Sequence, residues 1–265
     1  MNGASRLNEP AAPDAMLCVG AGKTCYLGTL DDLDWHLHGA PVFIAGMTGK
    51  VRLRLPGGDW RACRAAVIPA GVRHALELGG EPLAVFYPEP ATAGLNHLAR
   101  LGGLWDVREG ILLGQCAEIG FFRELYENTS SLAFAPAALA DLVAHITARE
   151  SEPHLDPRIA GVIAKLDKAP DDLSAVAVLA QAEGLSASRF LHLFSREVGV
   201  PFRRFRIWNR VRAALGLAVA GRSLTEAALA AGFADSAHFA RLHRETFGVA
   251  ASQTLRRVAR AGGPA

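Results

Sequence analysis

The chain has 265 residues, half of them hydrophobic, and 28 basic against 26 acidic side chains leave a formal charge of +2. That length supports two compact domains with separate cores, and no apolar run approaches the roughly 20 residues of a membrane helix, so no membrane partner is expected. The small net charge hides a split at Asp156: residues 156–265 carry 16 basic and 9 acidic side chains, net +7, and residues 1–155 carry 12 and 17, net −5, which assigns any polyanionic partner to the C-terminal half.

Residues 1–13 are polar and rich in Pro and Ala, the composition of a disordered leader. From Met16 to Tyr87 the chain is broken often by Gly and Pro. Between these breaks Val42–Ala45, Val51–Leu55, Ala65–Ile68 and Leu83–Tyr87 have strand length, the second with clean alternation, so residues 14–95 are expected to form a small barrel or sandwich. Beyond Pro90 the apolar spacing turns helical. Phe121, Phe122, Leu125 and Tyr126 mark one stripe and Leu139, Leu142, Val143 and Ile146 another, in a connector over 96–152 that packs on the barrel or pairs across a homodimer. Two prolines in Ser151–Pro157 mark a domain boundary.

The region 156–260 holds a repeated pattern. Leu179–Phe194 reads as an Ala-rich helix, a Gly184 turn, a Ser186 N-cap and a second helix with Phe190, Leu193 and Phe194 on its buried face; Ala227–Arg241 repeats it around Gly232 and Phe233. Each copy is a helix-turn-helix, a device that lays a short polar helix in a DNA major groove. Ser188, Arg189 and His192 in the first copy and Ser236, Ala237, His238 and Arg241 in the second are the candidate DNA contacts, with Arg241 suited to a guanine edge. Arg203, Arg204, Arg206 and Arg210 are candidate phosphate anchors.

Residues 156 to about 256 resemble the DNA-binding domain of the AraC/XylS family of bacterial transcription regulators. The resemblance is carried by Asp156-Pro157-Arg158-Ile159-Ala160, Gly199-Val200-Pro201, Arg210–Leu215, Gly232-Phe233, His238–Arg241 and Phe247-Gly248-Val249. The sequence departs from the family at His243, where an aromatic usually stands, at Ala251 for Pro, near Thr254 for Tyr, and at His192 for Arg or Lys. In the N-terminal half, His36-Leu37-His38 and Pro69-Ala70-Gly71-Val72-Arg73-His74 resemble cupin motifs. Enzymatic cupins add a Glu to three such His to hold a metal. No Glu follows His38 before Gly46, so neither metal nor cofactor is expected, and Trp35, His36, His38, Phe43, Trp60 and His74 are read as lining an effector pocket.

The expected fold is α+β, a cupin-like β-barrel and helical connector followed by an all-α double helix-turn-helix domain. The resemblance implies a cytoplasmic regulator that binds double-stranded DNA and a small-molecule effector, acts as a homodimer and contacts RNA polymerase. Two other readings stay open: a metal-dependent cupin enzyme fused to a DNA-binding domain, and a ligand-independent DNA-binding protein. No catalytic residue is nominated. Gly20-Ala21-Gly22-Lys23-Thr24 imitates a phosphate loop, but Leu17 occupies the place of its first Gly. Cys18, Cys25, Cys63 and Cys116 lack metal spacing, and Asn128-Thr129-Ser130, in a chain read as having no secretion signal, carries no meaning as a sequon.

Overall fold

The computed structural model describes residues 15–20, 23–88, 95–128, 133–148, 155–256 and 258; the leader expected over 1–13 and most of the Ser151–Pro157 boundary lie outside the described residues. Eleven strands among these residues form two antiparallel sheets. In spatial order the larger contains β1 (Ala15–Gly20), β2 (Lys23–Thr29), β9 (Pro82–Pro88), β4 (Val42–Gly46), β7 (Ala65–Ile68), β11 (Ile111–Cys116) and β10 (Gly102–Arg108). The smaller contains β3 (Leu33–His36), β8 (His74–Glu77), β5 (Val51–Arg54) and β6 (Arg61–Cys63). The N-terminal half is therefore a two-sheet sandwich and not the expected closed barrel.

The period-two rule explains its layers. Leu17, Tyr26, Ile44 and Val85 of the large sheet meet Leu33, Val51, Leu53 and Leu76 of the small one. Their neighbours Met16, Leu27, Phe43, Ala45 and Phe86 face the other way and are covered by α2 (Ile119–Glu127) and α3 (Ala135–Thr147). The stripes of Phe122, Leu125, Leu139 and Ile146 are buried against this sheet, so they are not free to pair across a dimer. The connector itself is not wholly helical. After α1 (Leu95–Ala99), β10 and β11 form a hairpin whose turn, Glu109-Gly110, has φ of 50° and 82° at its two residues. That pair of positive φ values is what a tight hairpin needs, and the Glu-Gly dipeptide was its signal. The apparent phosphate loop is explained as well: Gly20 ends β1 opposite Lys23 of β2, so a strand follows where a phosphate site needs a helix.

The C-terminal half contains α4 (Pro157–Lys168), α5 (Val176–Ala182), α6 (Ala187–Val198), α7 (Phe202–Val219), α8 (Leu224–Ala230), α9 (Ser236–Phe247) and α10 (Ala251–Arg256). Local chemistry sets their ends. Ser186 accepts from the Arg189 N–H (3.2 Å), Asp235 accepts from the His238 N–H (2.6 Å), and Ser223 with Glu226 completes a capping box. Helices α4, α5 and α6 share a core with the start of α7 through Ile159, Leu179, Phe190, Phe194, Phe202 and Phe205. From Trp208 onward α7 belongs to another core, in which Trp208, Val211, Leu215 and Phe239 merge with the apolar interior of the sandwich. The first helix-turn-helix unit thus has its own core, and the second is built onto the sandwich.

Candidate DNA interface and buried histidine cluster

Two helix-turn-helix units stand at the two ends of α7: α5–α6 at its start and α8–α9 at its finish. On α6, Phe190, Leu193 and Phe194 are buried while Ser188, Arg189 and His192 are exposed, as 3.6-residue spacing from an N-cap requires. On α9, Phe239 is buried, Ser236, Ala237 and Arg241 are exposed, and His238 is half-buried with its ring edge-on to Phe233. A groove between the units is bordered by Leu191, Arg203, Arg206, Arg210, His238 and Arg241.

The four arginines of α7 divide into different roles. Arg203 is exposed at the groove. Arg204 is half-buried, with its carbonyl oxygen close against Gly39. Arg206 donates to the carbonyls of Ser174 (3.0 Å) and Asp172 (2.7 Å). Arg210 donates to the carbonyls of Ala231 (3.0 Å) and Gly232 at the end of α8, with its guanidinium 4.3 Å from the Phe233 ring centroid. Sequence suggested phosphate anchors for all four, but Arg206 and Arg210 spend their donors on helix ends and loop carbonyls.

A second constellation lies where the sandwich meets α9. His36 on β3 stands opposite His74 on β8, and His38 follows two residues later; ring centroids are 4.2–5.1 Å apart, and one ring nitrogen from each lies within 4.8 Å of the others. All three are buried, and among the described residues no carboxylate belongs to the group. His36 Nδ1 is 2.6 Å from the Asp34 carbonyl and His74 Nδ1 is 2.9 Å from that of Val72. His38 Nε2 lies 3.4 Å from the Tyr87 hydroxyl. Burial lowers His36 to about 4 and His74 to about 3, the latter helped by neighbouring His36, and holds His38 well below the ordinary histidine value. These imidazoles are neutral at neutral pH.

The second helix-turn-helix unit closes this end of the sandwich. β3 donates its Asp34 N–H to the Gly248 carbonyl (3.1 Å) and its neighbouring Leu37 N–H to that of Glu245 (3.3 Å), so an edge strand caps the carboxyl end of α9. Between them is a cavity of about 50 Å³ bordered by His36, His38, Tyr87, His243, Phe247 and Thr254. His243 is buried, with Nδ1 2.9 Å from the Val249 carbonyl, and burial lowers it to about 4.

The remaining nominated pocket residues are elsewhere. Phe43 is on the opposite face of the large sheet, stacked on Phe122 at 5.9 Å between centroids. Trp35 and Trp60 are half-buried and flank Arg54, whose guanidinium is 5.0 and 4.8 Å from their centroids. Tyr87, His243, Phe247 and Thr254 were not nominated, because they come from another sheet or another domain. The unusual His at 243 was the one available signal.

Residues 179–257 match the family described as a helix-turn-helix domain. No curated protein sequence matches the chain. Among solved structures, ToxT from Vibrio cholerae aligns over 89% of this chain and 99% of its own at 14% identity, with a TM-score of 0.57. An apo variant of ToxT gives 0.59 at 14% identity, covering 91% of this chain and 99% of that one. A ToxT structure described as bound to an unsaturated fatty acid gives 0.57 at 14%, covering 94% and 100%. These likenesses establish a shared fold over nearly the whole chain, and residues 179–257 match a helix-turn-helix domain family.

Proposed function

We propose that the protein is a sequence-specific DNA-binding transcription regulator whose N-terminal sandwich responds to a small-molecule effector. The pair of reader helices carries this reading: α6 and α9 each bury one face and expose a short polar face, and one helix, α7, sets their separation. Such a pair addresses two successive major-groove segments, roughly 34 Å apart, on one side of the duplex. The net +7 of residues 156–265 suits the sequence-independent part of DNA affinity.

For the effector, support comes from the apolar cavity beside α9 and from the ToxT structure described as bound to an unsaturated fatty acid. The cavity lies against α9, so an occupant could bias the position of a reader helix. A cytoplasmic location fits this role, and no helix among the described residues is long and apolar enough to cross a membrane. A homodimer and contact with RNA polymerase belong to the same reading. The stripes of α2 and α3 are covered by sheet, so a dimer would use another surface. The reading assigns no catalytic role to the sandwich.

The test is equilibrium binding of the full chain to genomic DNA fragments across a range of salt. The expected result is a subset of sites bound above background, with affinity falling steeply as salt rises. Binding insensitive to salt, or equal for all sequences, would remove the reading.

A further inference from the structure

We propose that the outer edge of β10 is a docking surface for a second copy of this chain, which adds its own β10 in antiparallel pairing centred on Val107. β10 ends the large sheet, and no further strand among the described residues pairs with it. The exposed large apolar side chains among the described residues of the N-terminal half are Leu104 (81% exposed), Val107 (64%) and Phe134 (68%), so two of the three stand on this strand. An edge strand with exposed apolar side chains is a template for another strand.

The register follows from the hairpin. Arg108 and Ile111 flank the two-residue Glu109-Gly110 turn, and positive φ at both turn residues marks the turn type whose flanking residues exchange hydrogen bonds. Bonded and non-bonded pairs alternate along an antiparallel ladder, so Val107, opposite Leu112, turns its N–H and C=O away from β11 and toward the edge. Two copies related by a two-fold axis then exchange N–H to C=O bonds between their Val107 residues. That register sets Asp106 of each copy directly opposite Arg108 of the other, and opposite charges so placed attract. Within one chain the two side chains bond each other at 2.8 Å and stay exposed, 57% for Asp106 and 54% for Arg108, so both are available to trade partners across the axis. Leu104 falls opposite Gly110 of the second copy, where no side chain obstructs it. The pairing is short, because the β10–β11 register shifts between Gly103 and Asp106 on one side and the turn begins at Glu109 on the other. A two-fold contact of this kind closes on itself, giving a weak pair and not a fibre. It deepens the regulator reading by naming the surface of its homodimer, and rests on that reading only for the consequence at DNA.

The experiment is sedimentation equilibrium of the full chain over a concentration series. Wild type is expected to pass reversibly from one chain to two. Asp106→Arg and Arg108→Asp each put like charges opposite each other in a homodimer, and each variant alone should associate about 10-fold or more weakly than wild type. Mixed in equal amounts the two variants should associate with each other, because positions 106 and 108 are then both basic in one chain and both acidic in its partner. Val107→Pro removes the edge donor while sparing the bonds to β11, and should leave a monomer with the circular dichroism of wild type. A wild-type chain that stays single at every concentration overturns the proposal. Association unchanged by either charge variant overturns the surface, and a mixture that associates no better than its parts overturns the register. Salt-dependent DNA binding by the wild-type chain tests the regulator reading separately, and its failure would leave the sedimentation result intact.

Discussion

Arg241 and Arg203 border the same groove but differ in what they can do to DNA. Arg241 projects from the exposed face of α9 one turn past its N-terminus, where a guanidinium can bridge guanine O6 and N7. Arg241→Ala is expected to cost about 1–3 kcal/mol at the preferred site and little on random DNA, measured by competition binding with single base-pair substitutions. Arg203→Ala should weaken all sequences alike and reduce the salt slope by about one contact. Arg210 behaves differently again, since its bonds to Ala231 and Gly232 and its contact with Phe233 hold the end of α8. Arg210→Ala should lower folding stability by about 1.5–3 kcal/mol in denaturant titration, the range for hydrogen bonds made by charged groups. Unchanged stability with a reduced salt slope would return Arg210 to the phosphate anchors. Sequence set Arg241 apart as a base contact but showed Arg203 and Arg210 as equivalent phosphate anchors, and it could not separate those two because their difference lies in which carbonyls the fold brings near.

At the scale of elements, α6 and α9 end alike and are held differently. Gly199 after α6 has φ of 80° and Gly248 after α9 has φ of 73°, both left-handed caps. A Cβ at Gly199 meets nothing within 4 Å, whereas at Gly248 it would lie 2.6 Å from the Asp34 carbonyl oxygen. Gly199→Ala should therefore cost only the backbone strain, about 1 kcal/mol. Gly248→Ala should cost more and should speed hydrogen exchange at the Leu37 and Asp34 amides, which bond the end of α9. Equal losses for the two variants would show that β3 does not clamp α9. The first helix-turn-helix was legible from its Gly184 turn and Ser186 cap, and the second from Gly232, because turns and caps are local chemistry, whereas the Ser223–Glu226 capping box was not read. The β10–β11 hairpin was not read: Leu104, Val107 and Ile111 also fit helical spacing, and the Glu109-Gly110 turn that decides against a helix is a two-residue signal.

Buried neutral histidines lie where the sandwich meets α9, and they make the stability of the whole molecule depend on pH. His36 and His243 titrate near 4 and His74 near 3, below the ordinary value of about 6.5, because burial disfavours their charged form. Below pH 6.5 the unfolded chain binds protons that the folded chain refuses, so stability is complete above that value and is lost as pH falls toward 4 and 3. Denaturant unfolding between pH 7.5 and about 4 should show this decline, and His243→Phe should make it shallower. A flat profile would mean that these imidazoles are hydrated. The amino-acid sequence by itself determined the two helix-turn-helix units, the basic half that carries them and four strands of the sandwich, since each depends on spacing, capping or composition within a short stretch. Only the tertiary structure decided that the second unit shares the core of the sandwich, that α2 and α3 are covered by sheet, and that His243 faces the cavity beside His36 and His38. Such contacts join residues far apart along the chain, and burial against a distant partner leaves no periodicity for a local pattern to carry.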